Sequence, residues 1–142
     1  RVTAICFPQT CAIMPRLHTV PLIEHERLTM IPSRRLTPDE IDAELASLVE
    51  MLKPYQPQRI ILHGSLVRGD WNRASDIDLI VVKDTNLPFS KRISEVIGLC
   101  DTTLSVEPLI YTPEEFAAML ASGNSFLEKA LQQGKVLYES QS

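Results

Sequence analysis

What most constrains this chain is the stretch from Ile60 to Val82, IILHGSLVRGDWNRASDIDLIVV. Two apolar, β-branched runs enclose a turn-rich interval. Arg59 to His63 is short and apolar, is bounded by Pro57 and Gly64, and reads as a strand. Ile77 to Val82 reads as a second strand. Between them, Gly64 lets the backbone turn sharply with no Cβ to keep another group away. Gly69 closes the short helix that the spacing predicts after Ser65. A fold that accepts this stretch must set a glycine-serine turn at the end of one strand. It must set Asp76 and Asp78 at the head of the next.

That placement has chemical consequences. The Ser65 hydroxyl and the backbone N–H groups after it make an anion site suited to phosphate. Asp76 and Asp78 stand at i and i+2, so on a strand both carboxylates share one face. Ile77 and Leu79 point to the other face, into the core. Two convergent carboxylates repel each other and are costly to bury unless a cation lies between them. Mg²⁺ accepts such hard oxygen ligands and bridges to substrate phosphates. A D-x-D alone reads as readily as two solvated acids at a strand start. The Gly-Ser turn upstream, between strand-like runs, favours a metal–nucleoside triphosphate site.

The remaining elements follow from local signals. Thr37-Pro38-Asp39-Glu40 is a capping box with proline at the first helical position. Ile41, Leu45, Leu48, Val49 and Leu52 recur at helical spacing, so Pro38 to Leu52 is an amphipathic helix. Ser90 to Cys100 reads as a helix with Ile93, Val96, Ile97 and Cys100 inward, and Thr103 to Tyr111 as a third strand. Thr112-Pro113-Glu114-Glu115 repeats the capping box and starts a helix through Ala121. Ser125 to Gln133 is a further helix closed by Gly134, and Val136 to Tyr138 a last strand or extended tail. The expected fold class is α/β of the α+β type: a mixed β-sheet with helices mainly on one face, leaving the other open for substrate.

Composition bounds the partners. Net charge is −4, with a pI near 5.4, and no basic stripe or tail is present to neutralise a nucleic-acid backbone. Nucleic acid is therefore not an expected partner, and no apolar run approaches a membrane span. Cys6, Cys11 and Cys100 fit neither a disulfide framework nor a zinc spacing, so a reducing cytoplasm is expected. Residues 1–35 read as a separate N-terminal arm, disordered or non-native, with 36–142 as the folded domain. Pro8, Pro15 and Pro21 interrupt any apolar core that a signal peptide would need. Met30 reads as a candidate true start; the alternative is an arm that packs on a partner or on the domain edge.

The pattern His63-Gly64-Ser65 followed by Asp76-Ile77-Asp78-Leu79-Ile80 resembles the nucleotidyltransferase superfamily that includes DNA polymerase beta. With the downstream Val106 to Phe116 and Gly134 to Glu139, it looks most like the minimal nucleotidyltransferase branch of prokaryotes. The resemblance implies Mg²⁺-dependent nucleotide transfer, most often of AMP from ATP though another NTP is possible, to a hydroxyl acceptor. It implies a third carboxylate on a neighbouring strand, for which the match is Glu107. Asp76, Asp78 and Glu107 would then be both catalytic residues and metal ligands, in a site that two metals could occupy. Gly64, Ser65 and Arg68 would bind the nucleotide. Glu107 departs from the family's usual aspartate by one methylene, and Pro108 beside it suggests an edge strand or a bulge.

Other residues are read as structural. His63 is expected to pack beside the site, Trp71 to plug the core edge, and Lys83 and Asp84 to form a solvated strand end. Glu114 and Glu115 are read as caps, and Cys100 is assigned no chemistry. Nothing in the chain recognises an acceptor, so an enzyme core of this kind must dimerise or bind a partner. The resemblance implies a small helical HEPN-type toxin, with this chain as the antitoxin. Two functions stay open: transfer of AMP to a partner hydroxyl, or masking of the partner with an idle site. A third, an aminoglycoside-type transfer to a small molecule, would need a homo-oligomer to complete its pocket.

Overall fold

The computed structural model describes residues 36–72 and 74–141. The expectation for residues 1–35 lies outside the described residues. The elements run α1 (Pro38–Leu52), a single 3₁₀ turn (Lys53–Tyr55), β1 (Arg59–His63), α2 (Ser65–Arg68) and β2 (Ile77–Val82). They continue with α3 (Phe89–Leu99), β3 (Val106–Tyr111), α4 (Pro113–Ala121), α5 (Ser125–Gln133) and β4 (Lys135–Glu139). Both capping boxes form. The Thr37 hydroxyl accepts from Glu40 N at 3.3 Å, and Glu40 Oε2 accepts from Thr37 N at 2.8 Å. Thr112 and Glu115 repeat the pair at 3.2 and 2.9 Å.

The four strands lie in the order β3-β2-β1-β4, with β2 and β3 parallel and the other pairs antiparallel. This is the mixed sheet that the sequence predicts. One face of the central strands, Ile60, Leu62, Ile77, Leu79 and Val81, packs under Ile41, Leu45, Leu48 and Leu52 of α1 and Val96 of α3. On the other face Ile61, Ile80 and Val82 pack with Phe116 of α4 and with Leu127 and Ala130 of α5. These last helices cover one end of that face. The end bearing His63 and Asp78 opens to clefts.

Pro108 finds its place on the edge strand. Ser105 O accepts from Ile77 N at 2.8 Å and Tyr111 O from Lys83 N at 3.0 Å, so odd-numbered residues of β3 turn toward β2. Pro108 therefore faces the free edge, where its missing N–H costs the ladder nothing. Two rows beyond it, Ile110 O is taken by Arg92 Nη1 at 3.3 Å.

Some local expectations are corrected. β3 begins at Val106 rather than Thr103, because the Thr103 and Leu104 N–H groups are taken by Glu44 Oε1 of α1. Helix α3 starts one residue early and ends at Leu99. Ile97, expected inward, is 50% exposed, and Arg92 at 6% takes a buried position instead. Its guanidinium satisfies itself there: Nε donates to Leu87 O at 2.6 Å, and Nη1 and Nη2 donate to the Glu115 carboxylate at 2.6 and 3.2 Å. Lys83 is not simply solvated, since its Nζ lies 4.6 Å above the Tyr55 ring. Cys100 caps α3, half-buried, with Sγ donating to Val96 O at 3.1 Å, and burial pushes its thiol pKa up.

Candidate active site

The site begins where β1 stops. Gly64 has φ +80° and ψ −153°, a backbone region essentially closed to residues with a side chain. A Cβ there would lie 3.0 Å from Asp78 Cγ and would overlap the carboxylate oxygen itself. The glycine is thus required twice, by its angle and by the carboxylate it lies against. Ser65 opens α2, a single turn in which Gly69 N donates to Ser65 O at 3.0 Å, and Gly69 at φ +80° ends it as predicted. Arg68 is exposed on that turn, its Nε 3.3 Å from Asp70 Oδ2.

Strand register assembles the acids. His63 of β1 stands opposite Asp78 of β2, and Asp78 stands opposite Glu107 of β3. Three side chains from three strands therefore form one row across the sheet. Asp76 lies just before β2, and its Oδ1 accepts from Ser105 Oγ at the approach to β3. The loop before it is held by Asn72 N to Ser75 Oγ and Ala74 N to Asn72 Oδ1, both 2.8 Å. Trp71, half-buried, packs on the core as expected.

His63 does pack beside the site. Its ring meets Phe126 edge-on, with centroids 5.3 Å apart and planes at 86°. Its Nε2 is buried without a hydrogen-bond partner. Burial pushes its pKa down; the Asp78 charge opposes that shift and the Arg68 charge adds to it. His63 and Phe126 together separate two clefts. One, of about 180 Å³, is lined by Gly64, Val67, Arg68, Lys129, Ala130 and Gln133 beside them. The other, of about 450 Å³, is lined by Asp78, Glu107, Ile93, Ile97, Val106, Pro108 and Leu109.

The residues fit a divalent cation in one specific way. Among the described residues no three His, Cys, Asp or Glu side chains form a ready-made metal group, so Asp76, Asp78 and Glu107 are not a closed trio. Asp78 on β2 and Asp76 just before it supply hard oxygen donors, and Gly64 keeps the space against Asp78 free of side chain. Two carboxylates with phosphate oxygens as further ligands is a mode that Mg²⁺ favours. Sequence reading gave no role to Phe126, Lys129 or Gln133 of α5. Their spacing marks one helix face, but only the fold sets that face against Gly64.

The fold and site define a nucleotide-transfer core. Residues 46–142 match the family described as Polymerase beta, Nucleotidyltransferase, and the chain belongs to that family of nucleotidyltransferases. A relative from Methanocaldococcus jannaschii, named provisionally as a protein adenylyltransferase, is 33% identical over 86 residues, covering 57% of this chain and 78% of its own. Two solved toxin-antitoxin structures are similar more loosely. One, solved with AMP-PNP, shares 21% identity at a TM-score of 0.45, covering 75% of this chain and 76% of its own. The other, a mutant, shares 17% at 0.43, covering 75% of each.

Proposed function

We propose that the chain transfers a nucleotide, AMP from Mg-ATP, to a hydroxyl on a partner protein, and that it serves as the antitoxin of a helical HEPN-type toxin. The observation that carries this reading is the contact of the Gly64 backbone with Asp78. It joins the phosphate-binding turn to the carboxylate that would hold the metal. The relative named as a protein adenylyltransferase supports the acceptor class.

Asp76 and Asp78 would hold Mg²⁺, with Glu107 as third ligand. When bound, the cation neutralises phosphate charge and orients the triphosphate. Gly64, Ser65 and Arg68 hold the phosphates. The acceptor oxygen bonds to the α-phosphorus as the bond to pyrophosphate breaks, and pyrophosphate leaves with the electron pair. The hydroxyl proton passes to Glu107, which sits in register beside Asp78, or to water.

A second reading, masking of the partner with an idle site, is favoured by one observation: Glu107 is exposed and completes no three-ligand group among the described residues. The two readings separate when the protein is incubated with Mg²⁺, α-labelled NTPs and any protein that co-purifies with it. Label on the partner, strongest with ATP, is expected. Full neutralisation of the partner with no label transferred would replace transfer by masking.

A further inference from the structure

We infer that α5 forms the second wall of the triphosphate site, with Lys129 contacting the terminal phosphates across the cleft from Arg68. This rests on the nucleotide-transfer reading and extends it to a helix far from the Gly-Ser turn in sequence. Phe126, Lys129, Ala130 and Gln133 stand at i, i+3, i+4 and i+7, one face of the helix, and all line the cleft that Gly64 and Arg68 line from the other side.

Charge separates the two clefts. Among the described residues the smaller carries Arg68 and Lys129 and no carboxylate, whereas the larger carries Asp78 and Glu107 and no cation. His63 and Phe126 belong to both. The phosphates furthest from the metal are drawn to the first cleft, while the second takes phosphate only through a cation on its carboxylates.

The two cations are also available. Among the described residues Lys129 has no ion-pair or hydrogen-bond partner. Arg68 holds the exposed Asp70, an ion pair of the kind that contributes little and yields readily to phosphate. Phosphates resting on Gly64 and Ser65 would find one cation on α2 and one on α5. The sheet-side carboxylates then hold the opposite charge near the reacting end.

The test is calorimetric titration of the full chain with ATP, ADP and AMP in Mg²⁺ at low salt. The proteins compared are wild type, Lys129→Ala, Lys129→Arg and Lys91→Ala. Lys91 is an exposed lysine on α3 that lines neither cleft. Lys129→Ala should weaken ATP about tenfold, the scale of one charge-assisted contact at an exposed site. It should leave AMP unchanged, and Lys129→Arg should recover much of the loss. Lys91→Ala should match wild type. ATP binding unchanged in Lys129→Ala, or equal losses for ATP and AMP, would overturn the role of Lys129 while leaving the nucleotide site standing. Absence of ATP binding in the wild type would overturn the nucleotide-transfer reading itself, and this inference with it.

Discussion

β2 meets two different environments along a single face. At one end Ile80 and Val82 are sealed with Phe116 and Leu127. At the other, two residues earlier, Asp78 lies against Gly64, between His63 and Glu107, with a cleft beside it. The sealed end supplies apolar burial, which favours folding. The open end gathers carboxylates and a glycine that buries no side chain, which do not. The difference teaches where this small fold keeps its chemistry: at the point where helical cover stops, on strands held firm from the far end and the opposite face.

The comparison breaks most visibly at the sealed end. Ile80→Ala should cost about 2–5 kcal/mol, the range for deleting a fully buried aliphatic side chain. Urea unfolding measures it, and a cost below about 1 kcal/mol would mean that α4 and α5 do not close over this end. Gly64→Val comes next, because it strikes the junction. It should lose nucleotide transfer altogether and also destabilise the fold, by about 1–3 kcal/mol for a side chain at that φ. Transfer preserved in that variant would remove the turn from the site.

A smaller effect concerns what holds α4 in place. The Glu115 pKa is lowered, first by its hydrogen bond from Arg92 and then by the Thr112 N–H. Its folded-state value lies below the unfolded one, so its contribution is present above the ordinary glutamate range and is lost as pH falls through the lowered value. Melting temperature should fall with acidification below about pH 4.5, and Glu115→Gln should flatten that slope. Identical slopes in both proteins would show that the Arg92–Glu115 pair adds nothing to stability.

Much of this architecture was legible in the sequence because its signals are local. Pro57 and Gly64 bound β1, and two Thr-Pro capping boxes start α1 and α4. Gly69 ends α2, and Pro108 announces an edge. Arg92 was not legible. A charged residue in an amphipathic helix reads as solvent-facing, and only the meeting of α3 with Ile110 and Glu115 satisfies it inside. The same holds for Lys129, whose neighbours Gly64 and Arg68 are over 60 residues away in sequence. Asp76 and Asp78 could be paired by alternation, whereas the row His63–Asp78–Glu107 exists only through strand register.

The most direct measurement asks whether the open end serves function rather than stability. Asp78→Asn should be assayed for Mg²⁺-dependent label transfer and for melting temperature on the same preparation. The account predicts that transfer disappears, because the carboxylate that would hold the metal is gone. It predicts a nearly unchanged melting temperature, because Asp78 belongs to neither apolar cluster and asparagine keeps its size. Transfer at the wild-type rate, or a fold several kcal/mol weaker, would contradict it.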